Sequence, residues 1–203
     1  MNTFMNSGQN WFTRTYAQHP VFVTLAIILA LMSAQAAFLA AMGHPAICDC
    51  GNVKLLYPDP SGPETSQHIA DWYTYSHVLH GLIFYLILWL IAPRMPVGLR
   101  LALAVGIEVA WEMAENTPMV INRYRQSALA EGYYGDSILN SLSDTVSAII
   151  GFVIARVSPV WLSVGLIVAT EVFMAYMIRD NLTLNIIQLL HPSEAISRWQ
   201  TGG

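Results

Sequence analysis

Three groups of polar side chains recur at helical spacing within apolar sequence. Glu108, Glu112 and Glu115 occupy i, i+4 and i+7 of LALAVGIEVAWEMAEN. Asp136, Asn140 and Asp144 occupy i, i+4 and i+8 of GDSILNSLSDTVSAIIGFVIA, and His77 and His80 are i, i+3 in DWYTYSHVLHGLIFY. Each group shares one face of its helix. An ionisable side chain in a hydrocarbon-spanning helix costs roughly 3 kcal/mol on the mildest scale, so such residues are rare, face a bundle interior and mark function. Imidazole with carboxylate suits Zn, Fe or Mn, and clustered carboxylates repel unless a cation or an arginine neutralises them.

These residue types assign roles. His77, His80 and Glu112 are candidate metal ligands, and a divalent metal is the candidate cofactor. Glu108, Glu112, Asp136 and Asp144 are candidates for acid–base or ion-holding work. Arg123, Arg125 and Arg179 are candidates for gripping an anionic headgroup, with Asn116, Tyr134 and Asn140 orienting it. The signal is unspecific, because the sequence has no His-Glu-x-x-His, no nucleophile elbow and no Glu-x-x-His pair. Singly, each residue has an ordinary explanation. A histidine at a span end is commonly an interfacial hydrogen-bonding group, Asn140, Ser141 and Asp144 would serve as polar glue between helices, and Asp136 reads as an N-cap. Glu171, alone in the last apolar block, would pair with a neighbour.

The elements that must position these groups are membrane helices. Of 203 residues, 55% are hydrophobic and 11% charged, where a soluble domain carries about a quarter charged residues. The apolar residues collect in blocks near the ~20 residues a bilayer crossing needs. The expected architecture is an all-α integral membrane protein, a bundle of about five transmembrane helices at 20–43, 75–93, 97–117, 138–157 and 159–178. Residues 1–19 form an N-terminal tail, mobile or interfacial, and 181–199 an interfacial C-terminal helix. Trp11, Trp72, Trp161 and Trp199 fall near span ends, as an aromatic belt would have them. Ala34-Gln35-Ala36 resembles a signal-cleavage site, but the apolar run continues to Met42 and reads as a retained anchor. A net charge of −4 without a basic cluster excludes a nucleic-acid partner; the expected partners are the lipid bilayer, a lipid headgroup or another membrane protein.

In five antiparallel spans, the start of the second, the end of the third, the start of the fourth and the end of the fifth emerge on one side. Those ends hold the histidines, the carboxylates and Arg179-Asp180-Asn181, while the opposite ends carry Arg94, Arg100, Arg156 and a few serines. The short basic turn APRMPVGLR puts that opposite side, with the N-terminus, in the cytoplasm. Cys48 and Cys50 would then face an oxidising compartment. A C-x-C spacing is awkward for an unstrained disulfide; pairing, a free thiol or a metal role with His44 remain open beside the preferred local structural role.

The segments HPAICDCG, DWYTYSHVLHGLIFY, AVGIEVAWEMAENTPMVINRYR, GYYGDSILNSLSD and IRDNLTLNIIQLLHPSEAI resemble an uncharacterised family of bacterial inner-membrane proteins, domain of unknown function 2585, across roughly His44 to Trp199. The resemblance implies a multipass protein of the cell inner membrane and no activity. A weaker likeness joins Glu112 or Glu115, Arg123 or Arg125, and Asp136 with Asn140 to the pattern of VanZ-like membrane proteins. Asp144 stands there in place of a glycine. Such a likeness carries architecture and no chemistry. The expected function is a membrane-embedded, metal-dependent enzyme acting on a lipid or lipid-linked substrate at the outer face. The rivals are a non-catalytic subunit or assembly factor, and a small transporter or proton relay using Glu108 and Asp144. Five spans without an evident inverted repeat speak against the last.

Overall fold

A computed structural model describes residues 11–202, whose regular elements are all helices, with no strand among the described residues. Its helices are α1 (Trp11–Gln18), α2 (Pro20–Met42), α3 (Thr74–Ile91), α4 (Val97–Glu115), α5 (Pro118–Tyr124), α6 (Ile138–Val157), α7 (Val160–Ile178), α8 (Leu182–Leu190) and α9 (Glu194–Thr201). Helices α2, α3, α6 and α7 are long and apolar enough to cross a bilayer. Helix α4 is of similar length, 19 residues, but carries Arg100 and the three glutamates. The chain is an all-α membrane bundle. The first ten residues of the N-terminal tail lie outside the described residues, and Trp11–Gln18 of it is helical.

The tightest packing is between α3 and α6, and two glycines allow it. A Cβ on Gly81 would sit 1.9 Å from the carbonyl oxygen of Ala148, and one on Gly151 would sit 2.0 Å from that of Val78. Small residues let backbones approach in membranes, where apolar contact with lipid is as good as with protein and close packing supplies the attraction. Around the crossing, Leu79, Leu82, Tyr85, Leu88, Ala104, Phe152 and Ala155 form the main apolar core. Tyr85 and Phe152 meet edge to face at 5.0 Å. Helix α4 closes a second cluster with α2 through Ile28, Val105 and Val109. Helix α7 is peripheral, with Trp161, Val164, Val168, Val172 and Tyr176 exposed, the surface expected against lipid acyl chains.

The expected single C-terminal helix is two. Proline disfavours helical backbone at the residue before it, and His191, ahead of Pro192, is extended at φ −148°. Glu171 finds its partner here: its carboxylate accepts from the Leu182 and Thr183 amides at 3.0 and 3.1 Å, a negative charge at the N-terminus of α8.

The long segment between α2 and α3 folds over the N-terminus of α6. Ser137 N–H donates to Ser66 O, and the Ile138 and Leu139 amides to Pro45 O and Ala46 O. Gln67 Nε2 donates to Gly135 O at 2.8 Å and Asn140 Nδ2 to His68 O at 2.8 Å. These bonds account for buried backbone groups that would otherwise be unpaired.

A polar site inside the helix bundle

The crossing of α3 on α6, with α4 alongside, brings the stripes together. His77, Glu108, Glu112, Asn140 and Asp144 are all buried, both glutamates completely. His77 Nδ1 lies 2.6 Å from Glu108 Oε1, and His80 Nδ1 lies 3.0 Å from Glu108 Oε2. A carboxylate only accepts hydrogen bonds, so Glu108 accepts from the Nδ1–H of each ring, and a neutral ring would present Nε2 as its lone pair. His77 Nε2 faces Asp144 Oδ2 at 3.8 Å, beyond hydrogen-bond length. Donor atoms of His77, His80 and Glu108 lie within 4.8 Å of one another, as do those of His77, Glu112 and Asp144.

The expected ligand trio is thereby regrouped. His80 and Glu112 fall into different sets, because His77 sits between Glu108 and Asp144 while His80, one turn along α3, reaches Glu108 alone. Glu112 accepts from Ser141 Oγ at 2.6 Å. Its other oxygen is 3.2 Å from His77 Nδ1 but receives no hydrogen bond, the ring N–H being directed at Glu108.

A cavity of about 80 Å³ lies above these groups. His77, His80 and Asp144 line it, while Glu108 and Glu112 stand behind the imidazoles. Its walls include Glu115, Tyr124, Tyr133, Tyr134, Asp136 and Asp180, with Trp111, Leu182 and Ile186 as an apolar border and Pro60–Pro63 of the long segment as a roof. The lining combines acidic and aromatic residues with apolar ones.

Asp136 does not cap α6. Ser137 is the N-cap, its hydroxyl accepting from the Asn140 amide. Asp136 instead accepts from Asn116 Nδ2 at 2.6 Å and from Tyr133 Oη at 2.9 Å. Burial pushes its carboxyl above the usual range, against the lowering pull of Asn116 and Tyr133. Asn116 also accepts from the Asp136 amide at 2.7 Å, so α4 and α6 are clamped at this level. Asp180 accepts from Tyr73 Oη at 3.2 Å and from Gln200 Nε2, and burial pushes it up to about 6.

The arginines stand apart from the cavity. Arg123 donates to Leu189 O at 2.7 Å and to Leu190 O, tying α5 to the end of α8. Arg125 donates to Tyr133 O and Arg179 to Trp199 O. Tyr134 is half exposed at the rim. Asn140 gives its amide to His68 O and leaves Oδ1 unpaired. His44 is not beside the cysteines; its ring bridges Asp136 O at 2.9 Å and Asn116 O at 3.1 Å.

Sequence reasoning missed Gln35. It is fully buried on α2, donates to Ser141 Oγ at 2.7 Å and accepts from Thr145 Oγ1 at 2.9 Å. Through Ser141 it extends the chain of hydrogen bonds to Glu112. A lone amide in a span without ionisable residues was the available signal. His68 and Tyr73 were also missed, since loop residues carry no periodicity.

Cys48 and Cys50 form a disulfide. The segment is a turn, in which the Gly51 amide donates to Cys48 O at 2.9 Å and Gly51 adopts φ +75°. That curls both sulfurs to one side, so pairing holds among the alternatives left open by the spacing.

No solved structure matches this chain. Residues 39–202 match the family described as a protein of unknown function, DUF2585. A UPF0314 protein of Brucella anthropi is 50% identical over 87% of this chain and 89% of its own. One from Paracoccus denitrificans is 48% identical over 97% and 98%, and one from Agrobacterium fabrum 49% identical over 84% and 86%. With that identity running almost end to end, the chain belongs to the uncharacterised DUF2585 (UPF0314) family of bacterial proteins.

Proposed function

We propose that this protein is a multipass inner-membrane enzyme that holds a divalent metal ion in its bundle and acts on a lipid or lipid-linked substrate. One observation carries the reading: a single buried carboxylate, Glu108, orients two imidazoles through Nδ1, with Asp144 standing 3.8 Å from the other ring nitrogen of His77. Carboxylates that hold the far nitrogen of a histidine fix its tautomer and strengthen it as a ligand. In this assignment His77, Glu112 and Asp144, whose donor atoms lie within 4.8 Å of one another, hold the ion, and Glu108 positions the rings of His77 and His80. The ion would supply Lewis acidity and an activated water. Asp136, on the cavity wall with a raised affinity for protons, serves as acid or base. Asn116 and Tyr133 set its direction.

The mixed polar and apolar lining of the cavity supports the substrate class. Leu182 and Ile186 of α8 and Trp111 of α4 border it, where an acyl or isoprenoid chain would lie, and the polar groups would take a headgroup. Helix α4 is the fifth span in this reading, and its polar stripe is sheltered by α2, α3 and α6. The N-terminus is cytoplasmic and the cavity opens at the outer leaflet.

The test is metal content by mass spectrometry of chain purified without chelator or nickel resin, beside His77→Ala. Near-stoichiometric metal in the wild type, falling at least about tenfold in the variant, is expected. The lipid profile of a deletion strain should be restored by the wild-type gene and not by Asp144→Asn or Asp136→Asn. Metal-free wild-type protein, or full rescue by both variants, would sink the enzyme reading.

A further inference from the structure

The turn at Cys48 and the segment around His68 form a second constellation, independent of the bundle site. Donor atoms of Cys48, Cys50, Glu64 and His68 lie within 4.8 Å of one another. We propose that the reduced form of this loop binds one thiophilic divalent ion, Zn²⁺ by chemistry, through the two thiolates, the His68 imidazole and the Glu64 carboxylate.

Two sulfurs, one imidazole and one carboxylate make a four-donor set of the kind tetrahedral zinc accepts, and soft thiolates select against Mg²⁺ and Ca²⁺. The surroundings fit a built site. Cys48 and His68 are buried, at 3% and 1% exposure, whereas Cys50 is exposed, which leaves an entry path on one side. The Cys50 amide donates to Cys48 Sγ at 3.2 Å, a contact that favours sulfur carrying negative charge. His68 Nε2 shares a proton with Glu64 Oε2 at 2.8 Å, so an ion can replace that proton between the same two atoms. The ring then takes its other tautomer at the cost of the long 3.3 Å contact from the Lys54 amide to Nδ1. Two thiolates and a carboxylate exceed a divalent charge by one, and Lys54, paired with Glu64, balances it.

The disulfide and the ion exclude each other. Two equivalents of a thiol reduce the Cys48–Cys50 bond, giving two cysteine thiols and the disulfide of the reductant. The thiols then lose two protons as the ion binds. Exchange with a small-molecule disulfide, which takes up two protons and leaves as two thiols, re-forms the Cys48–Cys50 bond and releases the ion. The site joins the two limbs of the segment that roofs the cavity: the Ile69 amide donates to Lys54 O and the Tyr57 amide to Ala70 O. Occupancy would staple that roof.

The experiment is titration of the full chain in detergent, reduced with a phosphine and kept anaerobic, with Co²⁺ as the spectroscopic probe. A sulfur-to-cobalt charge-transfer band saturating at one equivalent, bleached by Zn²⁺, is expected. The band should vanish on re-oxidation and in Cys48→Ser, and His68→Ala should weaken binding by about tenfold or more. The bundle site contains no sulfur, so the band reports this loop whether or not the enzyme reading holds. No charge-transfer band in the reduced wild type overturns the proposal without reliance on any variant. So does a band that Cys48→Ser leaves intact, or a reduced chain that exchanges with oxidised glutathione and binds no Co²⁺.

Discussion

At the residue scale, Glu108 explains why two histidines three positions apart on α3 differ from ordinary interfacial histidines. Its two oxygens take one ring each, so both imidazoles are held in one tautomer by a group that neither touches the cavity nor meets solvent. Asp180 offers a residue-level measurement outside the spans. Burial raises its carboxyl to about 6 from an ordinary 3.8, so the folded chain holds this proton more tightly than the unfolded chain. The resulting stabilisation is complete below about pH 4 and is lost as pH rises through 6, an upper bound of roughly 3 kcal/mol. Thermal unfolding between pH 4 and 7.5 should therefore show wild type losing more stability than Asp180→Asn, whose amide cannot ionise. Asp136 and Asp71, also raised by burial, leave a residual slope of the same sign in both proteins. Equal slopes in the two would refute the assignment to Asp180.

At the element scale, the site exists because α3 and α6 touch backbone to backbone. Gly151→Ala places a methyl carbon against Val78 O, where the built position is 2.0 Å away, and the helices must part. Overpacking of this kind typically costs about 1–3 kcal/mol. His77 and Asp144 lie near the same crossing on opposite helices, so the expected result is a lowered Tm together with reduced metal retention. Gly165→Ala on α7 is the control: nothing lies within 4 Å of its added Cβ, and it should leave both quantities unchanged. A Gly151→Ala protein with native Tm would mean the crossing is looser than described. Helix α8 is held in a different way, with the Glu171 carboxylate and Asn181 side chain satisfying its first amides.

At the scale of the whole molecule, the polar inventory is one-sided. The roof, the cavity and the cysteine turn are at one end, and Arg94 and Arg156 at the other. Orientation is checked with single cysteines in a Cys48→Ser/Cys50→Ser background. Ser61→Cys in the roof should react with a membrane-impermeant maleimide in intact spheroplasts, and Pro93→Cys in the short basic turn only after lysis. The reverse pattern would put the cavity in the cytoplasm and overturn the outer-leaflet reading.

Hydropathy and 3.6-residue periodicity were enough to find the long helices and their polar stripes, because both are local properties of consecutive residues and the cost of exposing a charge to lipid is general. For that reason His77, Glu108, Glu112 and Asp144 were legible as polar positions on apolar helices, and the fold sets them side by side. Their partners were not legible. Which carboxylate holds which imidazole depends on how α3 is rotated against α4 and α6, and that rotation follows from the contacts of Gly81 and Gly151 with carbonyls on the facing helix. Asp136 reads as a cap until the fold sets Asn116 beside it. Gln35 and His68 carry no pattern of their own, and only the folded chain brings them to Ser141 and to the cysteines. Helix identity is a short-range property of the chain; the chemistry of the site arises from pairs of residues far apart in sequence, and the packing of the bundle decides those pairs.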